Sequence, residues 1–137
     1  MGLDVGERRI GVALSDPLGS MAFPFSVLER KGKDPDLKSL QALAQEHEVE
    51  RVVVGMPRSL DGSLGPQARR VQGFVEGLAG SLALPVETWD ERLSTVAAER
   101  SLVATGMKRG KRKIERDAVA AALILQGYLD RSRGSAS

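Results

Sequence analysis

No cysteine occurs among the 137 residues. That excludes a disulfide framework, a thiolate zinc site and a cysteine nucleophile. There is one histidine, His47, so an imidazole-rich metal site is excluded as well. Its place at the end of a helical pattern makes it a helix-boundary residue. Aromatic residues are scarce at 4%, with Trp89 the only tryptophan, which argues against a surface that stacks many bases. No apolar run reaches the length of a membrane span and no secretory signal is evident. The expectation is therefore a cytoplasmic protein with no membrane partner. A dominant charge is missing too: the net charge is +2, so any signal for nucleic-acid binding must be local. What is present is ordinary for one globular domain with a real core, 42% hydrophobic and 28% charged residues.

The chain is organised around its start. Gly2-Leu3-Asp4-Val5-Gly6 and Arg8-Arg9-Ile10-Gly11-Val12-Ala13-Leu14-Ser15-Asp16 read as two short apolar strands joined by a tight turn, Gly6-Glu7-Arg8. Met1 opens almost directly onto the first strand, which looks shortened by a residue or two. Side chains alternate along a strand, so Asp4 shares its face with Gly2 and Gly6 alone. A carboxylate is costly to bury unpaired and uncommon in strands. Flanked by glycines, it leaves room for something close to the backbone, such as a metal ion or a phosphate. The plainer alternative is a partly exposed aspartate paired with an arginine.

Further along, Met21 to Arg30 is a third apolar run interrupted by Pro24, which suits an edge or irregular strand. Asp34-Pro35 reads as the start of a helix carrying Leu37, Leu40, Leu43 and Ala44. Arg51 to Pro57 is a short continuous apolar run ending in Gly and Pro, as expected of a strand buried on both faces. Pro66 begins a helix with Ala68, Val71, Val75, Leu78 and Leu82 on its apolar stripe. Leu84 to Trp89 is a fifth strand with Asp90, Glu91 and Arg92 at its end, and Ser94-Thr95 opens a helix through about Ala104. Met107 to Lys113 holds five basic residues in seven and reads as a loop. Ile114 to Arg131 is a helix whose centre is apolar on all sides. The expectation is one α/β domain over residues 1–131, a mixed five-stranded sheet with helices on both faces. Residues 132–137 would form a flexible tail.

Three acidic points are unusually placed: Asp4 inside a strand, Asp90-Glu91 at a strand end, and Asp117 in the first turn of the last helix. Strand ends and helix starts near the middle of such a sheet tend to line one cleft. Carboxylates gathered there must hold protons or share a cation. Hard oxygen donors favour Mg2+ or Mn2+, and two such ions would activate a water and stabilise the leaving oxygen of a phosphodiester. Asp117 would alternatively be a helix-start carboxylate favoured by the dipole, and Asp90-Glu91 a solvated strand end. Lys108, Arg109, Lys111, Arg112 and Lys113 run into the helix that carries Asp117, where they could hold phosphates across the acids. Arg92 could do the same or pair with the acids.

Four blocks then resemble one family: GLDVGERRIGVALSD at 2–16, VVVGMPRSLDGSLGPQARRVQGF at 52–74, WDERLST at 89–95, and RDAVAAALILQGYLD at 116–130. Together they resemble the YqgF/RuvX family, bacterial relatives of the RuvC Holliday-junction resolvases with a ribonuclease H-like fold. The resemblance implies a nuclease for the 5′ end of pre-16S ribosomal RNA, with ribosomal precursor particles as partners. It places the family's acids on Asp4, on the Asp90-Glu91 pair and on Asp117. Glu91 is the preferred ligand of the pair because its side chain reaches further, giving Asp4, Glu91 and Asp117 as the metal set. In the resolvases an acid follows the fourth strand; here that strand ends Val54-Gly55-Met56-Pro57, which sets the chain apart from junction resolution. The rival readings are a resolvase acting on branched DNA, an RNA-binding assembly factor without cleavage, and an ATP-using protein of the actin and sugar-kinase type. The last needs two such domains around its nucleotide.

Overall fold

In the computed structural model, residues 1–57, 61, 63–93 and 109–136 are described. The elements are β1 (Gly2–Val5), β2 (Arg9–Ser15), β3 (Ala22–Glu29), α1 (Lys33–Glu46), β4 (Val52–Met56), α2 (Pro66–Ser81), β5 (Val86–Asp90), a single 3-10 turn (Glu91–Leu93) and α3 (Arg109–Ala136). The helix expected through Ala104 lies outside the described residues. The five strands form one sheet in the order β3-β2-β1-β4-β5. β1 pairs antiparallel with β2 and parallel with β4, so the opening strand is central. β5 extends the parallel half. β3 is an edge strand, as Pro24 requires, and its register with β2 shifts between Val12 and Ala13. The mixed sheet matches the expectation.

Alternation sorts the sheet into two unlike faces. One carries Leu3, Val5, Ile10, Val12, Val52, Val54 and Met56 against Leu37, Leu40 and Ala44 of α1 and Val71, Phe74 and Leu78 of α2. Nearly all the large side chains that are wholly buried lie here, so this face holds the main core, each such residue contributing about 1.5–3 kcal/mol. The stripe of α2 uses Phe74 as its central anchor, a position the expected stripe left out. The other face is built from Ala13, Val53 and small or medium residues of α3, namely Ala121, Ala122, Ile124 and Leu125.

Glycine sets the closeness of that second contact. A Cβ on Gly2 would lie 2.7 Å from Leu125 Cβ and 2.8 Å from the Ala121 carbonyl oxygen, and one on Gly11 would collide with the backbone of Asp117. The space above Gly2 and Gly11 is thus taken by α3, while a Cβ on Gly6, the other glycine beside Asp4, would meet the Arg9 carbonyl oxygen at 3.0 Å. Gln126 fastens the helix to the edge, accepting from Ala22 N at 2.9 Å and donating to Ser20 O at 3.0 Å.

Two boundaries differ from expectation. α1 starts at Lys33 after Gly32, whose φ of 131° suits glycine. No side chain caps that start; buried Asp36 in the first turn ties it to the preceding loop instead, accepting from Lys31 N at 2.9 Å and from Arg30 Nε at 3.1 Å. α3 begins at Arg109 and continues through Ala136. The stretch read as a basic loop is therefore helical from Arg109, and helix also covers most of residues 132–137. Lysine and arginine are good helix formers, and extending a helix already docked on the sheet costs little compared with nucleating one. Among the described residues no helix is long and apolar enough to cross a membrane.

Replacing Gly11 by Ala should force α3 away from the sheet and cost about 1–3 kcal/mol in urea unfolding. Gly73 within α2 meets open space, so Gly73→Ala should stabilise by about 0.5–1 kcal/mol. Equal effects at the two positions would mean that α3 is not seated on the glycines.

Candidate active site

Asp4 stands opposite Gly11 across the β1–β2 ladder, while Leu3 is beside Val54 on β4. Its half-buried side chain therefore rises at the centre of the sheet, on the α3 face. Glu91 comes from the far side. It follows the last residue of β5, and the 3-10 turn folds it back over β4. A Cβ on Gly55 would sit 2.7 Å from Glu91 Oε1 and 3.1 Å from its Cγ, so only glycine lets the carboxyl lie there. Glu91 and Asp4 are hydrogen-bonded to each other. Asp117 arrives from α3, its backbone over Gly11, and its charge acts on Asp4. Asp4 and Glu91 thus meet on one face of the sheet, from a strand and a turn, and Asp117 on the helix above acts on Asp4 by its charge.

Burial raises the Asp4 carboxyl to about 6, helped by the negative charge of Asp117 and opposed by the hydrogen bond from Glu91. Glu91 is raised to about 7, chiefly by burial, then by the charge of Asp4, the bond to Asp4 and the charge of Asp90. Both carboxyls are raised because ionising the pair is opposed by burial and by their mutual charge, so the two share a proton.

The remaining expected residues do not join this cluster in the same way. Along β5, Val86 packs into the α1/α2 core and Trp89 against α3. Asp90 therefore falls on the face opposite Glu91. Asp117 is two turns into α3 rather than in its first turn, beyond the reach of the helix-end dipole. Its charge is met instead by Arg9, whose Nε donates to Oδ2 at 2.8 Å. His47 is the C-cap of α1 and meets Phe25 edge to face at 4.7 Å, far from the acids in the fold. Lys108 lies outside the described residues. Of Arg92, Arg109, Lys111, Arg112 and Lys113 the structure describes the backbone, the first in the 3-10 turn and the others at the start of α3.

A family model described as "RuvX: Holliday junction resolvase" matches residues 1–131. The chain belongs to the RuvX family. A protein of Desulforamulus reducens is 51% identical over 130 residues, 95% of either chain. One of Symbiobacterium thermophilum is 53% identical over 129 residues, 94% of this chain and 90% of that one. Both carry the name "Putative pre-16S rRNA nuclease". Among solved structures, Thermus thermophilus RuvC in complex with a Holliday junction substrate superposes with a TM-score of 0.61 at 18% identity, covering 98% of this chain and 94% of that one. The RuvX sheet and its helices thus share the RuvC-like, ribonuclease H-like fold.

Three residues of this RuvX site were not singled out from sequence: Arg9, Gly11 and Gly55. For Arg9 and Gly11 a signal exists, because alternation along β2 puts both on the face of Asp4 once the hairpin register is known. Gly55 reads only as the end of an apolar run. Among the described residues no group of three or more aspartate, glutamate, histidine or cysteine side chains converges closely enough to hold an ion as it stands. Asp4 and Glu91 meet; Asp117 is turned to Arg9.

The acid pair makes apo RuvX stability depend on pH. Both folded values lie above the ordinary 3.8 and 4.5. Their contribution is complete below those ordinary values and is lost as pH rises through about 6 and about 7. In chelator, the urea midpoint should fall between about pH 4 and about pH 7, the interval between the ordinary and the raised values. Glu91→Gln should remove most of that fall. Parallel pH profiles for the two proteins would show that the pair does not share a proton.

Proposed function

We propose that this RuvX chain is a divalent-metal-dependent nuclease that processes the 5′ end of pre-16S ribosomal RNA, on precursor particles in the cytoplasm. The observation that carries the reading is the Asp4–Glu91 pair, two carboxyls held in contact at the centre of the sheet beside a third acid, Asp117. Protein chains do not keep such a pair half-buried without cost, since ionising both is opposed by burial and by their mutual charge. A cation between them removes that opposition. The donors are all hard oxygens, which suits Mg2+ or Mn2+.

In this reading Asp4, Glu91 and Asp117 hold the metal. The bound metal would supply activation of water and stabilisation of the leaving oxygen of a phosphodiester. Asp90 acts on Glu91 through its charge, from the other face. Lys108 and the basic start of α3, with Arg109, Lys111, Arg112 and Lys113, bind the RNA backbone, joined by Arg92. The near-50% identity to relatives named for pre-16S rRNA over almost the full chain supports RNA as substrate.

The description of the matching family favours a second reading, resolution of branched DNA. Against it, β4 leads into Gly55-Met56-Pro57 with no carboxylate at the strand end. A resolvase also needs two sites acting together, so a stable dimer would favour it.

The test is incubation with pre-16S RNA and with a four-way DNA junction, each with Mg2+, Mn2+ or chelator. Metal-dependent cleavage of the RNA alone is expected; cleavage of the junction alone would transfer the assignment to DNA. Asp117→Asn should abolish cleavage while leaving RNA affinity level or slightly higher. Replacing Lys111, Arg112 and Lys113 together by Ala should weaken binding and flatten its salt dependence, by about 0.7–0.9 in slope for each phosphate left without its cation. Wild-type cutting by Asp117→Asn in Mg2+ would remove that residue from the site.

A further inference from the structure

Arg9 has no role in the reading above, yet it touches the acidic centre. It stands two residues before Gly11 on β2, on the face of Asp4 and next to α3. Its Nε donates to Asp117 Oδ2 at 2.8 Å. Among the described residues neither side chain makes another hydrogen bond or ion pair. The pair is neither buried nor fully exposed, with 35% of the Arg9 side chain and 27% of the Asp117 side chain accessible.

Two consequences follow from this geometry. Contact through Nε leaves both terminal amino groups of the guanidinium open, a planar fork that matches two phosphate oxygens. At the same time, the Asp117 carboxylate is committed to a cation of the protein's own, and the three acids do not converge on one point. A partly exposed ion pair of this kind is weak enough to be exchanged.

We propose that Arg9 is a latch on Asp117: it holds the carboxylate out of the metal site until a backbone phosphate of the nucleic acid takes the guanidinium. The proposal rests on the nuclease reading, in which Asp117 is the third metal ligand. Arg9 is then a positioning residue. Phosphate binding draws Arg9 away, Asp117 turns to Asp4 and Glu91, and the ion is held tightly only when a strand is present. By linkage the coupling is reciprocal, so freeing Asp117 strengthens metal binding and freeing Arg9 strengthens RNA binding.

The test is a double-mutant cycle with Arg9→Gln and Asp117→Asn, read by calorimetry with Mn2+ alone, so that no cleavage is involved; thermal melts confirm folding. Arg9→Gln should tighten Mn2+ by roughly five- to tenfold, and the gain should vanish in the Asp117→Asn background. A gain that survives in that background is a through-space charge effect and overturns the latch, as does no gain at all. In chelator, Asp117→Asn should tighten binding of pre-16S RNA, and only while Arg9 is present. RNA affinity insensitive to Arg9 overturns the phosphate half. If neither the wild type nor any variant takes up Mn2+, the metal-dependent reading itself fails and the latch falls with it. Mn2+ binding that Arg9→Gln leaves unchanged overturns the latch alone.

Discussion

The approach of α3 to the sheet is the constraint on which the rest of the molecule depends. Helices usually rest on sheets through a layer of side chains. Here three strands offer glycine where that layer would be, at Gly2, Gly11 and Gly55, and the helix or a carboxyl side chain fills the space. The result is contact at backbone distance between β2 and α3, with Asp117 directly above the residue that pairs with Asp4. Moving the helix outward by one methyl group would separate the acids and loosen the small-residue core of Ala121, Ala122 and Leu125. Stability and site geometry are therefore set by the same contact.

The two faces of the sheet divide the labour. The α1/α2 face holds the large wholly buried side chains and supplies most of the hydrophobic stabilisation. The α3 face is thinner, with smaller residues, and it carries the polar groups that burial penalises. Asp36 shows the contrast. It is the one charged residue among the described set that is almost fully buried, and Arg30 and the Lys31 amide satisfy it. Arg30 also donates to the Gly6 carbonyl and lies over the Phe74 ring. That network ties the β1–β2 turn to α1 and α2. Asp4 and Glu91, by contrast, have each other as partner, and burial with their mutual charge holds both well above the ordinary carboxyl range.

The order of elements was legible because each strand and helix announces itself by its own period and punctuation. Pro24 marks the edge, and the Val52-Val53-Val54 run marks a strand flanked on both sides. The boundaries of α3 were not legible. Gly110 and a run of like charges look like a loop, and only docking of the later turns on the sheet makes helix propagation through them favourable. That error moved Asp117 from two turns inside the helix to its start, and so suggested the dipole rather than Arg9 as its partner. Buried Asp36 was hidden for a related reason. Its partner Arg30 is close in sequence, but nothing in the local pattern shows that the turn between them closes. The face that each of Asp90 and Glu91 takes depends on the end of β5, and only the packing of Val86 and Trp89 shows it.

The acids are far apart along the chain, at positions 4, 91 and 117, and the parallel β1–β4 pairing joins residues about fifty positions apart. Contacts of such separation form late, because a long loop must close before any of them is made. During synthesis the N-terminal end emerges first, so Asp4 exists for most of that time without either carboxyl neighbour. The last helix completes the group by settling on the glycines. A chain still being made therefore has a sheet in preparation but no assembled group of acids.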